Sequence, residues 1–169
     1  MDYNTMNTIV GRKNMALDKA KAHLAKFGME DRVMEFEQSS ATVELAAIAV
    51  GCEPARIAKT LSFHVGERVA LVLFAGDARI DNRKFKDRFH TKAKMLAANE
   101  AEELIGHGVG GVCPFGVNEC CDVYLDVSLR RFQEVFPAAG TAASAVRLTP
   151  DELERICAPC EWVDVSKLP

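Results

Sequence analysis

Apolar residues recur at helical spacing near the start of the chain. Within Asn14–Phe27, the residues Leu17, Ala20 and Leu24 fall close to one helical face, and Gly28 follows where a helix would end. This pattern predicts an amphipathic helix that packs one side against a core.

The next two apolar segments differ in length and in pattern. Arg32–Glu37 is short and predicts a strand, whereas Thr42–Val50 is long enough for a helix and is followed by Gly51. Because Thr42–Val50 is apolar on most of its sides, we expect this second helix to be buried.

The middle of the chain predicts a hairpin and a basic helix. Ile57–Val65 and Arg68–Ala75 are two apolar runs separated by only Gly66 and Glu67, which is a strong signal for paired antiparallel strands. Asp81–Phe89 is then predicted to form a helix, with Asp81 as its N-terminal cap.

Capping signals and β-branched residues mark the elements of the C-terminal half. Asn99 and Glu102 resemble a capping box at the start of a helix, and Thr149-Pro150-Asp151-Glu152 is a clearer helix start of the same kind. Strands are predicted at Val123–Val127 and at Trp162–Val165.

The predicted strands outnumber the predicted helices, and several of them are adjacent in sequence. This arrangement favours an α/β (α+β) fold with a mixed, largely antiparallel sheet and helices packed around it. The chain has no internal repeat and no linker rich in proline, glycine or serine, so we expect residues 1–169 to form a single domain.

Length and composition restrict the class of protein. The 169 residues carry a formal net charge of −3, and the longest apolar runs, such as Val69–Ala75, are far shorter than the ~20 residues that span a bilayer. Met1–Val10 lacks the features of a secretion signal, which indicates a cytoplasmic protein without membrane contact. The six cysteines are therefore not expected to form a disulfide scaffold.

One segment is basic within this slightly acidic chain. Between positions 79 and 94 the sequence holds seven Lys or Arg residues, namely Arg79, Arg83, Lys84, Lys86, Arg88, Lys92 and Lys94. Such a segment is typical of a surface that contacts nucleic-acid phosphates, and Arg79, Lys84, Lys86 and Arg88 are the candidate contacts. A solvated helix face would give the same pattern.

Two further features are candidates for chemistry. Gly106–Gly116 reads GHGVGGVCPFG, and consecutive glycines can direct backbone N–H groups at one point, where they can stabilise an oxyanion. A purely structural turn is the alternative. The loop is not a Walker loop, a GxGxxG motif or a GxSxG elbow. Lys59 is the second feature, because it lies inside an otherwise apolar strand.

Three ordered motifs together resemble the YbaK family of aminoacyl-tRNA deacylases. These are GCEPARIAKTL, LFAGDARIDNRKFKD, and GHGVGGVCPFG followed by VYLD, and the resemblance covers about Val33 to Val165. The family is related to the editing domain inserted in bacterial prolyl-tRNA synthetases. The resemblance implies a curved, barrel-like sheet flanked by helices, and hydrolysis of the ester that joins a wrong amino acid to tRNA.

The resemblance also assigns site residues. It places the family's lysine on Lys59, its neighbouring threonine on Thr60, and its glycine motif on Gly106, Gly110 and Gly111. The resemblance thus implies Lys59, Gly110 and Gly111 as catalytic groups. The position that usually holds Ser or Thr before a proline falls on Cys113-Pro114, and His107 is a further candidate for shaping the pocket.

Two departures from the family bear on specificity. Cys113 replaces the commoner serine, and Ala145 stands closest to the acidic residue that some members carry. A pocket with no acidic group has no obvious partner for a charged side chain. We therefore expect a small, uncharged amino acid, with alanine, cysteine and serine as the candidates.

Several alternatives remain open from the sequence. The attacking group can be a water, a ribose hydroxyl or the side chain of the amino acid, so no general base is assigned. A non-catalytic module that binds the tRNA acceptor end and partners a synthetase is the main rival to the enzyme. Two further alternatives have less support. One is a nucleotide-dependent enzyme, and the other is a zinc or redox site built from Cys157, Cys160, Cys120 and Cys121. We expect no cofactor and no metal.

Overall fold

The computed structural model describes residues 15–108 and 110–169. Helix α1 covers residues 15–25, so the predicted start at Asn14 lies outside the described part of the chain. The other helices are α2 (Val43–Val50), α3 (Asn82–Phe89), α4 (Ala98–Ile105) and α5 (Pro150–Cys157). The strands are β1 (Val33–Glu35), β2 (Ile57–Val65), β3 (Arg68–Ala75), β4 (Arg79–Ile80), β5 (Cys121–Asp126), β6 (Phe136–Pro137), β7 (Ser144–Val146), β8 (Cys160–Val163) and β9 (Ser166–Lys167).

A curled, five-stranded sheet forms the centre of the fold, in the order β6-β2-β3-β5-β8. Only β2 and β3 pair antiparallel in it, whereas β6, β5 and β8 each run parallel to their neighbours. Two further antiparallel pairs, β1 with β7 and β4 with β9, lie outside this sheet. The predicted mixed, curved sheet is confirmed.

The antiparallel share of the sheet is smaller than predicted. Among the named strands, three pairings are antiparallel and three are parallel, so neither kind prevails. The β2–β3 hairpin is visible in the sequence because its turn is two residues long. The parallel pairings join strands that lie far apart in the chain, and a local pattern carries no signal for them.

Strand β3 is buried on both of its faces. Val69 and Leu71 pack against α4, whereas Ala70 and Val72 belong to the main core, which helices α1, α3 and α5 cover. This double burial explains why the sequence of β3 is apolar without alternation. The hairpin is thus held rigidly between two layers of helices, and β2 provides a firm wall for the cavity described below.

Several local predictions are confirmed. The bounds of β2 and β3 agree with the predicted runs. Asp81 caps α3 by accepting hydrogen bonds from the N–H groups of Arg83 and Lys84. Thr149 and Glu152 exchange the two hydrogen bonds of a capping box at the start of α5. The predicted strands in the C-terminal half are also present, although each begins two residues earlier.

Two predictions about helices are wrong. Helix α2 is not buried, because Leu45 and Ile48 are 49% and 77% exposed and Ala47 alone is fully covered. The helix lies over the β6 edge of the sheet, where only one side of it finds a partner. Helix α4 begins before Asn99, since Glu100 accepts a hydrogen bond from the N–H of Ala97.

None of the helices in the described residues combines the length and the apolar character needed to cross a membrane.

Candidate active site

A cavity of about 380 Å³ opens beside the N-terminal half of β2. Its walls come from β2, the beginning of α2, helix α4, the glycine loop and the segment 136–145. Lys59, Thr60 and Gly110 all line it, so the fold brings together three residues of which the first and last are about fifty positions apart in the sequence. The other lining residues are mostly alanines and other apolar residues, and Lys59 is the one ionisable side chain among the described residues that line the cavity.

Lys59 is held by the turn that follows β3. Its Nζ donates hydrogen bonds to the carbonyl oxygens of Gly76 and Ala78, at 3.2 and 2.5 Å. Burial lowers the pKa of this half-buried ammonium, and the charge of Asp77 opposes that effect only in part. The side chain is therefore a fixed cation at the cavity wall, and not a mobile surface lysine.

The same turn is tied down by a second cation. Arg131 forms a bidentate ion pair with Asp77, with nitrogen–oxygen distances of 2.5 and 3.1 Å. The hydrogen bonds from Arg131 hold the pKa of the Asp77 carboxyl below its usual value. This pair fixes the turn whose carbonyls position Lys59, so the orientation of Lys59 depends on residues outside the cavity.

Two hydroxyl groups stand on the cavity side of β2. Thr60 and Ser62 both line the cavity, as expected for residues two apart on a strand. Thr60 Oγ1 is buried and has no hydrogen-bond partner in the described part of the protein. Sequence reasoning included Thr60 but missed Ser62, whose position two residues further along the strand was the available signal.

The glycine loop follows α4 directly. Gly106 ends the helix with a φ of 92°, and Gly110 has a φ of 83°, a conformation that side chains rarely adopt. The N–H of Gly111 donates to the carbonyl of Gly108 at 3.1 Å, whereas that of Gly110 has no partner within residues 15–108 and 110–169. Among the described residues, the N–H of Gly111 is thus already paired, whereas that of Gly110 is not.

Gly111 has a steric reason to be glycine. A Cβ at this position would lie 2.6 Å from the carbonyl carbon of Gly140 and 2.7 Å from Cα of Thr141. The loop therefore packs its backbone directly against the backbone of the segment 136–145. The sequence does not single out this segment, because its small residues resemble an ordinary loop. Gly140 was the available signal in the sequence, and its φ of 94° in the structure shows why a glycine stands there.

His107, Cys113 and Pro114 lie behind the loop, because all three are buried and none lines the cavity. His107 Nδ1 accepts a hydrogen bond from the N–H of Cys113 at 3.3 Å, and its Nε2 has no partner among the described residues. Burial lowers the pKa of His107 to about 4 and raises that of Cys113 to about 12. Both side chains are therefore neutral at pH 7, and they can shape the loop only from behind.

A larger depression of about 970 Å³ lies on the other side of the glycine loop. Lys19, Asn99, Gly106 and Gly108 are among its lining residues. It shares four residues with the smaller cavity, namely Ala41, Ala98, Thr141 and Ala142. The two spaces are therefore neighbours, and the loop forms the boundary between them.

The predicted nucleic-acid contacts differ in how free their charges are. Lys84 donates to Asp164 and to the carbonyl of Ser166, and Arg88 forms an ion pair with Glu161. Arg79 and Lys86 are exposed and form no ion pair within the described residues, and Arg79 lies close enough to Lys59 to lower its pKa. Of the four candidate contacts, Arg79 and Lys86 are thus the two whose charges are not paired with an acid among the described residues.

The four cysteines considered for a zinc or redox site lie in two separate places. Cys120 and Cys121 have their sulfurs 4.0 Å apart, and both donate to the carbonyl of Leu104. Cys157, the last residue of α5, lies near Cys160, and burial raises the pKa of both thiols. Within the described residues, no three His, Cys, Asp or Glu side chains come together as metal ligands.

The geometry defines an α/β protein with a cavity that combines a fixed cation, a glycine loop and a buried hydroxyl that has no partner among the described residues. Residues 37–156 match the aminoacyl-tRNA editing domain, which is well over half of the chain. The chain belongs to the aminoacyl-tRNA editing domain family. The resemblance that the three motifs predicted is confirmed by this match and by the relatives that follow.

Similar proteins extend along most of the chain. It is 51% identical over 154 residues to the uncharacterized protein YwhH of Bacillus subtilis (strain 168), which covers 90% of this chain and 98% of YwhH. It is 25% identical over 136 residues to a proline–tRNA ligase of Geobacillus sp. (strain WCH70), covering 72% of this chain and 24% of the ligase. The chain thus spans about a quarter of that ligase.

Solved structures show the same fold. A protein proposed to be a trans-editing enzyme for prolyl tRNA synthetase matches with a TM-score of 0.81 at 31% identity, covering 90% of this chain and 97% of that one. The hypothetical protein APE2540 matches with a TM-score of 0.74 at 27% identity, over 80% and 91% of the two chains.

Proposed function

We propose that the protein hydrolyses the ester bond of a mischarged aminoacyl-tRNA, acting as a separate editing enzyme in the cytoplasm. The observation that carries this proposal is the meeting of Lys59, Thr60 and Gly110 at one cavity in a member of the editing family. The match to part of a proline–tRNA ligase supports a function associated with prolyl-tRNA synthesis, and a synthetase is a possible partner.

Hydrolysis of this ester requires few catalytic groups from the protein. An aminoacyl ester is already activated, so the site has to position the attacking group and stabilise the oxyanion. The free N–H of Gly110 would donate to that oxyanion, and one such donor typically contributes ~2.7–4 kcal/mol. The attacking group remains a water, a ribose hydroxyl or the amino-acid side chain.

Lys59 supplies the positive charge of the site. Its ammonium is fixed by two carbonyl oxygens, and it keeps a third donor for a phosphate or a ribose oxygen of the tRNA terminus. The terminal nucleotide would occupy the larger depression beside Lys19, while the aminoacyl group enters the smaller cavity across the glycine loop.

The lining of the smaller cavity supports a small, uncharged amino acid. Alanines contribute much of the wall, and the walls hold no acidic group. Ala145 on β7 lines the cavity at the position nearest to the acid of some relatives. A charged substrate side chain would therefore lose its hydration without gaining a partner, apart from Lys59.

One experiment tests the proposal. Purified protein is incubated with one tRNA charged separately with alanine, cysteine, serine, arginine, glutamate and phenylalanine, and the loss of ester is followed over time. We expect hydrolysis with the three small residues and little with the others. A binding module would instead protect the ester, and this outcome would replace the enzyme by the rival function.

A further inference from the structure

Among the described residues of the free protein, no hydrogen-bond partner accounts for the burial of the Thr60 hydroxyl. Its Oγ1 is buried and unpaired among the described residues, although Thr60 lies on a rigid strand next to a cavity. Buried polar atoms almost always have partners, because an unpaired one is destabilising. A threonine that lacks a partner within the protein is therefore a candidate for finding one in a ligand.

Ser62 presents a second hydroxyl to the cavity two residues further along β2, although this hydroxyl is not fully buried as that of Thr60 is. It is 7% exposed and lines the same cavity, and its hydroxyl forms no hydrogen bond within residues 15–108 and 110–169. Two unpaired hydroxyls thus stand side by side on one strand, within walls that are otherwise largely apolar.

Ser144 shows the contrast. This serine also lines the cavity, but its hydroxyl accepts from the N–H groups of Ala139 and Thr141 and donates to the carbonyl of Thr141. Its role is fully accounted for by the loop that it holds together. The unpaired state of Thr60 and Ser62 is therefore a property of those two positions and not of every hydroxyl at the cavity.

We propose that Thr60 and Ser62 select an aminoacyl group with a short side chain that bears a hydroxyl, so that a seryl ester is preferred over an alanyl ester. This inference rests on the proposed function and specifies its substrate. Because no hydrogen bond holds the Thr60 hydroxyl, rotation about χ1 turns it toward the substrate without breaking one. An alanyl group would leave both hydroxyls unpaired in a cavity from which it has displaced solvent.

The test compares two substrates on one tRNA. The same tRNA is charged with serine or with alanine, and kcat/KM is measured for wild type, Thr60→Val, Thr60→Ser and Ser62→Ala. We expect wild type to favour the seryl ester by about tenfold or more, which is what the net contribution of one additional hydrogen bond gives. Thr60→Val and Ser62→Ala should each lower that ratio several-fold, and Thr60→Ser should retain it.

Stability gives a second readout that separates selection from a structural role. Valine has nearly the shape of threonine and no unpaired hydroxyl, so Thr60→Val should melt at the same temperature as wild type or higher. Ser144→Ala is the matched control, because it removes a paired hydroxyl and should lower the melting temperature without changing the ratio. A seryl-to-alanyl ratio that is unchanged in Thr60→Val would overturn the proposal.

A binding measurement distinguishes this proposal from the proposed function. Non-hydrolysable 3′-seryl-amido-adenosine and 3′-alanyl-amido-adenosine are titrated into the same variants. Tighter binding of the seryl analogue that disappears in Thr60→Val supports the selection even if no ester is cleaved, in which case the hydrolytic function fails alone. Equal binding of the two analogues, or no binding of either, overturns the selection.

Discussion

At the scale of single residues, the environment of His107 makes the stability of the protein sensitive to acid. Burial lowers its pKa from 6.5 to about 4, so the folded protein binds fewer protons than the unfolded chain between those values. The stability that His107 contributes is therefore complete above pH 6.5 and falls as the pH falls toward 4. The loss amounts to at most about 3 kcal/mol.

The variant His107→Asn tests this prediction. Asparagine can still accept the hydrogen bond from Cys113 but does not titrate, so the free energy of unfolding should fall less steeply between pH 6.5 and pH 4. His90→Asn is the control, because His90 is exposed in a left-handed conformation that asparagine tolerates. Equal steepness in wild type and His107→Asn would contradict the prediction.

Lys59 makes structural contacts, and we expect it to serve the reaction as well. Lys59→Met keeps the apolar stem and removes the charge, so we expect hydrolysis to fall by on the order of a hundredfold or more. Loss of the two bonds to Gly76 and Ala78 should also lower stability by about 1–3 kcal/mol. Initial rates on a mischarged tRNA and urea denaturation measure the two effects.

Arg131→Met separates the two effects, because it loosens the same turn without removing the cation from the cavity. A comparable loss of stability with most of the activity retained assigns the catalytic effect to the Lys59 charge. If both variants lose activity to the same extent, Lys59 acts through the turn.

At the scale of elements, the glycine loop depends on its contact with the segment 136–145. Gly111→Ala should lower the melting temperature by several degrees and reduce hydrolysis strongly, because a Cβ there collides with the backbone of Gly140 and Thr141. Gly108→Ala is the matched control within the same loop, since a Cβ at that position meets nothing within 4 Å. Thermal denaturation of the two variants side by side makes the comparison. Similar melting temperatures would show that the loop can move away from the segment.

At the scale of the whole molecule, we expect the basic segment to set how salt affects binding of tRNA. Because Lys84 and Arg88 are paired with acids, we expect Arg79 and Lys86 to contribute more to phosphate contact. The double variant Arg79→Glu, Lys86→Glu should weaken binding and flatten the plot of log K against log salt, as measured by fluorescence anisotropy.

Arg68→Glu serves as the control for this surface. Arg68 is exposed at the turn of the β2–β3 hairpin, roughly 20 Å along the sheet from Lys59, and it pairs with Asp122. If the control changes the salt dependence as much as the double variant does, the effect belongs to net charge alone. In that case the basic segment is only a solvated face.

The sequence by itself determined those features that depend on near neighbours. Asp81 and Thr149 cap their helices as predicted, and the hairpin from Ile57 to Ala75 has the predicted bounds, because these signals lie within a few residues. The three ordered motifs likewise identified the family.

Only the tertiary structure decided which distant residues meet. It covered one side of α2 and left Ile48 exposed, although the composition of that helix suggested full burial. It placed the segment 136–145 against Gly111, buried His107 behind the loop, and left Thr60 without a partner. Each of these outcomes is set by packing between elements that are remote in the chain, and hydrophobic periodicity carries no information about such contacts.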